Sequence, residues 1–204
     1  MSRPSLAYRA VAFASLPLFN RLFRLEARGK ENVPESGFVL AANHVSNFDP
    51  WPLGLPLFPE RYLRFMAKSE LFWWPLGPFI KSAGAFKVHR GRSDANAMET
   101  AMQLAREGEI VVMFPEGTRQ KKGLRKKFEA RPHTGAARIA LGADVPLIPA
   151  AIKGMDNLAR AKKLRVVYGP PIDVSDLAGV DPREAAQTAT DRLMAEIHRL
   201  YETL

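Results

Sequence analysis

The sequence predicts an α/β protein in which a mixed, largely parallel sheet is flanked by helices and preceded by an amphipathic helical segment. Three observations predict it. Past residue 36, short apolar runs alternate with helical patterns, and strands separated by helices assemble into largely parallel sheets. The chain has 204 residues, 47% of them apolar and 25% charged, which suits one domain with a single buried core. The first 30 residues carry Arg3, Arg9, Arg21, Arg24, Arg28 and Lys30 against Glu26 as the only acid. Two regions follow: residues 1–30 as an amphipathic segment suited to a membrane interface, and residues 31–204 as the domain that holds the sheet.

The N-terminal segment reads as a helix. At 100° per residue its five arginines share one sector, while Val11, Leu18, Phe19, Leu22, Phe23 and Leu25 lie opposite. Leu6 and Phe13 fall on the basic side, and Pro17 bends the helix. The uncharged stretch from Ala10 to Asn20 is too short to span a bilayer, and no cleavage-site pattern of a signal peptide follows it. Strands are predicted at 37–42, 62–67, 84–88, 109–114, 145–152 and 163–168. Helices are predicted at 50–57, at 69–81 in pieces, and at 94–107, 131–142 and 183–203. The stretches "WPLGLPLFP" (51–59) and "LFWWPLGPFI" (71–80) hold all three Trp and are dense in Pro, which makes short, broken helices. Their aromatic residues suit a membrane interface, an acyl-chain groove or the core, and composition leaves these open.

Composition excludes several classes of chemistry. Without cysteine there is no disulfide scaffold, thiolate zinc site or cysteine nucleophile. The four His residues show no metal-ligand spacing, so no metal is expected. The net charge of +9 favours an anionic partner. It is concentrated in "RQKKGLRKKFEAR" (119–131) and "RAKKLR" (160–165). The aromatic residues accompany proline and apolar runs rather than these clusters, and no nucleic-acid-binding signature is present. Nucleic acid is therefore not an expected partner.

Two histidines stand five residues before an aspartate: His44 before Asp49 in "NHVSNFD", and His89 before Asp94 in "HRGRSD". Their neighbours differ. His89 is flanked by Lys87, Arg90 and Arg92, whose charge opposes an imidazolium. His44 follows the apolar strand "FVLAA" among polar residues without competing cations. Asp49 is also a possible helix N-cap, with Pro50 at the first helical position, so the aspartates alone do not decide. "FPEGTR" (114–119) ends another apolar strand. Ligands of open α/β sheets bind beyond the carboxyl ends of the strands. There Gly117 allows a turn and close backbone approach, and Arg119 can clamp a phosphate. Arg90, after "GAFKV", would enter from the same edge.

In this order "NHVSNFD", "GAFKVHR", "FPEGTR" and "VPLIPAAI", spanning residues 37–152, resemble the four motif blocks of the glycerolipid acyltransferase family. The resemblance implies that His44 is a general base oriented by Asp49, with Asn43 and Ser46 as supporting polar positions. It also implies that Arg90 and Arg119 hold the acceptor's phosphate while Glu116, Gly117 and Thr118 shape its pocket, and that Pro149 belongs to the sheet beneath the site. The implied reaction moves a fatty acyl group from acyl-CoA or acyl-carrier protein to the free hydroxyl of lysophosphatidic acid, giving phosphatidic acid, without a cofactor. The implied place is the cytoplasmic face of a membrane, peripheral or monotopic, on an anionic lipid surface. Gln120 and the charged loop after it depart from the family pattern and bear on acceptor or donor choice. The alternatives are another lysophospholipid or glycolipid acceptor, or a non-catalytic basic protein that binds membranes or nucleic acid.

Overall fold

The computed structural model describes residues 5–88, 95–117 and 132–204. Helix α1 spans Leu6–Pro17 and continues as a π-helical turn, Leu18–Leu22. There follow β1 (Glu26–Arg28), β2 (Phe38–Ala42), α2 (Pro50–Gly54), β3 (Leu63–Lys68), α3 (Leu76–Ser82) and β4 (Ala85–Val88). The chain continues through α4 (Ala95–Arg106), β5 (Ile110–Met113), α5 (Gly135–Ala143), β6 (Leu147–Lys153), β7 (Arg165–Tyr168) and α6 (Pro182–Glu202). The strands form one sheet in the order β1-β7-β6-β2-β5-β3-β4. Among the described residues, five of its six pairings are parallel and that of β6 with β7 is antiparallel. This is the mixed, largely parallel sheet that the alternating pattern predicts.

Strand β2 lies at the centre and is buried along its whole length. Alternate residues point to opposite faces of a sheet, and two cores form accordingly. Val39 and Ala41 pack with Val111, Leu147 and the buried faces of α4, α5 and α6. Phe38, Leu40 and Ala42 pack with Ile110, Val112, Leu53, Leu55, Phe58 and the N-terminal residues Ala12, Phe19 and Phe23.

The N-terminus differs from the expectation of one helix reaching residue 28. The α-helical ladder ends at Pro17 and the following turn widens to π. Proline supplies no amide hydrogen and crowds the preceding turn, which accounts for the change. Arg24 sits in a left-handed turn with φ 45°, and Arg28 belongs to β1. The shared arginine sector therefore does not extend to Arg24 and Arg28. Strand β1 was not expected: "EAR" has two charges in three residues and no apolar run. It forms at the sheet edge by main-chain pairing with β7, a setting that tolerates charged side chains.

Candidate active site

The site is assembled where β2 ends. Asn43, the first residue past the strand, is buried. Its Nδ2 donates to the Ile152 carbonyl at 3.0 Å and its Oδ1 accepts from the Ile152 amide at 2.8 Å. One side chain thus satisfies both main-chain groups of a β6 residue and fixes the loop that follows. Buried peptide groups need such partners.

Asp49 is 0% exposed. It stands at the start of α2 but makes no capping bond to that helix. Its carboxylate turns back instead. Oδ2 accepts from the amides of Val45 at 2.8 Å and Ser46 at 2.9 Å, and lies 2.7 Å from His44 Nδ1. A carboxylate can only accept here, so the neutral imidazole carries its hydrogen on Nδ1 and its lone pair on Nε2. Asp49 Oδ1 is buried without a hydrogen-bond partner among the described residues. The Ser46 hydroxyl accepts from the Phe48 amide at 3.2 Å and tightens the turn. From below, the Tyr168 hydroxyl donates to the Leu53 carbonyl at 2.8 Å and ties α2 to β7.

The turn after β5 comes to the same place because β5 pairs in parallel with β2. The ring of Phe114 stacks on His44, with centroids 4.2 Å apart and planes at 20°. Glu116 is half-buried with Oε2 out of reach of solvent. Gly117 closes the turn by donating to the Phe114 carbonyl at 3.0 Å and has φ +66°. A Cβ added there would come 2.2 Å from His133 Cδ2 and 2.3 Å from Nε2. The His133 amide donates to the Pro115 carbonyl at 2.8 Å, which holds this ring over the glycine. Pro149 is buried in β6 opposite Ala41, and its carbonyl accepts from the Gly169 amide at 2.8 Å.

Of the residues predicted from sequence, His44, Asp49, Asn43, Ser46, Glu116 and Gly117 therefore gather at the carboxyl edge of the sheet, with Pro149 within it. Arg90, Thr118 and Arg119 lie outside the described residues, as do His89 and Asp94. Sequence reasoning missed Phe114 and His133. Phe114 opens the "FPEG" stretch and the register of β5 against β2 could have pointed to it. His133 left no local signal, because its neighbour is 16 positions away. Lys68, the last residue of β3, also ends at this edge.

Fold and pair together define an α/β protein whose carboxyl edge carries an oriented imidazole with a free lone pair. Residues 24–153, more than half of the chain, match the family model described as Acyltransferase. The chain belongs to the acyltransferase family. It is 35% identical to the 1-acyl-sn-glycerol-3-phosphate acyltransferase of Bacillus subtilis over 86% of this chain and 87% of that one. It is 30% identical to the human 1-acyl-sn-glycerol-3-phosphate acyltransferase beta over 88% of this chain and 64% of the human one. The crystal structure of the 1-acyl-sn-glycerophosphate (LPA) acyltransferase PlsC from Thermotoga maritima shares the fold. Its TM-score is 0.66 at 24% identity, covering 95% of this chain and 79% of that one.

Proposed function

We propose that the protein transfers a fatty acyl group from acyl-CoA or acyl-carrier protein to the free hydroxyl of 1-acylglycerol-3-phosphate, forming phosphatidic acid. The observation that carries the reaction type is the Asp49-held imidazole of His44. Nε2 takes the proton of the acceptor hydroxyl as its oxygen attacks the thioester carbonyl. The tetrahedral adduct collapses, the carbon–sulfur bond breaks, and the thiolate leaves with the proton that His44 returns. A positioned base of this kind contributes about 10²–10⁴-fold, and Asp49 offsets the charge that forms on the ring. The step balances without a cofactor, the thioester being a substrate. The acceptor is carried over from the Bacillus subtilis relative, which is similar along most of both chains. In this reading Arg90 and Arg119 clamp its phosphate by their motif positions, and Glu116, Gly117 and Thr118 shape the pocket.

The proposed place of work is an anionic membrane surface, at the cytoplasmic face, with residues 1–30 at the interface. Leu6, Phe13, Leu18 and Leu22 are exposed there beside the exposed Arg9 and Arg21, a mixture suited to the headgroup region. Among the described residues no helix is long and apolar enough to cross a membrane.

The test is the purified protein with a panel of lysophospholipids and both thioester classes, with products identified by mass spectrometry. Phosphatidic acid from lysophosphatidic acid is expected. A far higher specificity for a neutral lysolipid, a glycolipid or glycerol-3-phosphate would replace the acceptor.

A further inference from the structure

The loop between β3 and α3 presents two tryptophans to solvent. Trp74 is 81% exposed and Trp73 59%, unusual for the side chain with the largest apolar area. The loop is built rather than loose. The Phe72 amide donates to the Ser69 carbonyl at 3.1 Å, and the Gly77 amide to the Trp73 carbonyl at 2.6 Å. Gly77 is buried so closely on the Phe72 main chain that a Cβ would meet its carbonyl oxygen at 2.5 Å. The half-buried ring of Phe72 lies under Lys87, whose Nζ is 5.2 Å from its centroid. The two indoles are thus held out from a fixed base.

Their place in the fold matters as much as their exposure. The loop leaves the carboxyl end of β3, which runs parallel to β5 as β5 does to β2, so it lies at the edge that carries His44. Phe48, in the His44–Asp49 turn, is 58% exposed at that edge. Leu18 and Leu22, also exposed, precede β1, whose first residue pairs with Arg165 opposite Lys153, the last residue of β6. They reach the same edge from the other end of the sheet. Lys68 ends β3 and Lys87 pairs with Ala67 beside it in β4, adding two positive charges against Glu70 at this edge. An apolar rim with indoles and surplus positive charge matches the interface of an anionic bilayer, where the ring sits among acyl carbons and its N–H stays hydrated.

We propose that Trp73 and Trp74 form a second membrane contact, separate from the N-terminal segment, which seats the protein with the carboxyl edge of its sheet toward the lipid. The inference rests on the membrane reading above. It implies that an acceptor need not leave the bilayer to reach His44.

Full-length protein carrying Trp51→Phe keeps only these two indoles as fluorophores. Trp51 is half-buried and donates to the Ser15 hydroxyl at 3.1 Å, and Ser15 keeps its own bond to the Val11 carbonyl, so the replacement is mild. On vesicles of phosphatidylglycerol and phosphatidylcholine in equal parts, emission should shift to the blue and be quenched by lipids brominated on the acyl chain. Trp73→Phe/Trp74→Phe, which keeps only Trp51, should show neither change. Trp73→Ala/Trp74→Ala should partition into vesicles roughly tenfold or more weakly, given the apolar area of an indole. It should still turn over short-chain lysophosphatidic acid dispersed as monomers. Vesicle-bound Trp51→Phe protein with unshifted, unquenched emission would overturn the proposal. So would a blue shift that appears without lipid as protein concentration rises, which would mean a second copy covers the indoles. Failure of the Trp51→Phe protein to engage vesicles while it turns over the monomeric substrate sinks this inference alone, and no acyl transfer by it to either form sinks the functional reading.

Discussion

The two faces of the sheet are closed by different means. On one, α4, α5 and α6 lay down small side chains: Ala101, Ala105, Ala136, Ala137, Ala140, Ala185, Ala186 and Ala189 are buried there. Small residues let regular helices pack closely on a pleated surface. The other face is covered by α1, its π turn, α2 and the short 3-10 turn Leu55–Leu57, through bulky Phe19, Phe23, Leu53, Leu55, Leu57 and Phe58. Proline stands at the end of α1 and within the short α2 and the 3-10 turn after it, and the exposed apolar residues Leu6, Phe13, Leu18 and Leu22 belong to this layer. The regular face is a scaffold. The irregular one leads into His44, since α2 starts just after Asp49 and packs beneath the site.

The strongest way to break this division is at its centre. His44→Ala should lower kcat/KM by about 10²–10⁴-fold, with circular dichroism and melting unchanged, while His89→Ala keeps substantial activity. The reverse result would move the chemistry elsewhere. A scaffold substitution should do the opposite: Leu193→Ala, fully buried on α6, should cost about 2–5 kcal/mol of stability and leave the KM for acceptor unchanged in the protein that remains folded. A shift of KM would show that the regular face also shapes the site.

Asn43→Ala lies between the two. It strands the amide and carbonyl of Ile152, so denaturant unfolding should report a loss of about 1–3 kcal/mol together with reduced kcat. Loss of stability alone would make Asn43 a sheet residue without influence on His44. Gly117→Ala sets a Cβ against His133 at a positive φ and should cost about 1–3 kcal/mol. Adding His133→Ala should recover the part due to collision but not the part due to φ, and a double variant no better than the single would assign the whole effect to the backbone. The smallest effect belongs to the far surface. Arg192 hydrogen-bonds the exposed Asp176 and holds its carboxyl below the ordinary range, so its stabilisation is present above the unfolded value and fades as pH falls through the folded one. Asp176→Asn should leave melting near neutral pH unchanged within error, as exposed ion pairs usually do.

Most of this architecture was legible because strand identity follows from local apolar runs. All six predicted strands form, displaced by no more than two residues at any end. Strand β1 was illegible because nothing in "EAR" is apolar: its partner, β7, lies more than a hundred residues away and supplies only main-chain bonds. The helical projection to residue 28 failed for a related reason, since a periodicity calculation does not register the end of the ladder at Pro17. The dual character of Asp49, cap or orienting carboxylate, was visible in sequence. It was decided only by geometry, where the amides of Val45 and Ser46 draw the carboxylate back toward His44. The phosphate clamp proposed for Arg90 and Arg119 comes from motif position, both lying outside the described residues.

The contact of Gly117 with His133 has a consequence for redesign. Pro115 and His133 are joined through their main chains, and the imidazole covers the glycine, so the described residues on either side of 118–131 are pinned to one another. Lengthening a segment between fixed ends costs only about 0.6 kcal/mol per doubling of length. Residues 120–131 can accordingly be shortened, recharged or replaced by those of a relative, while Thr118, Arg119, both junction residues and the geometry of His44 stay as they are.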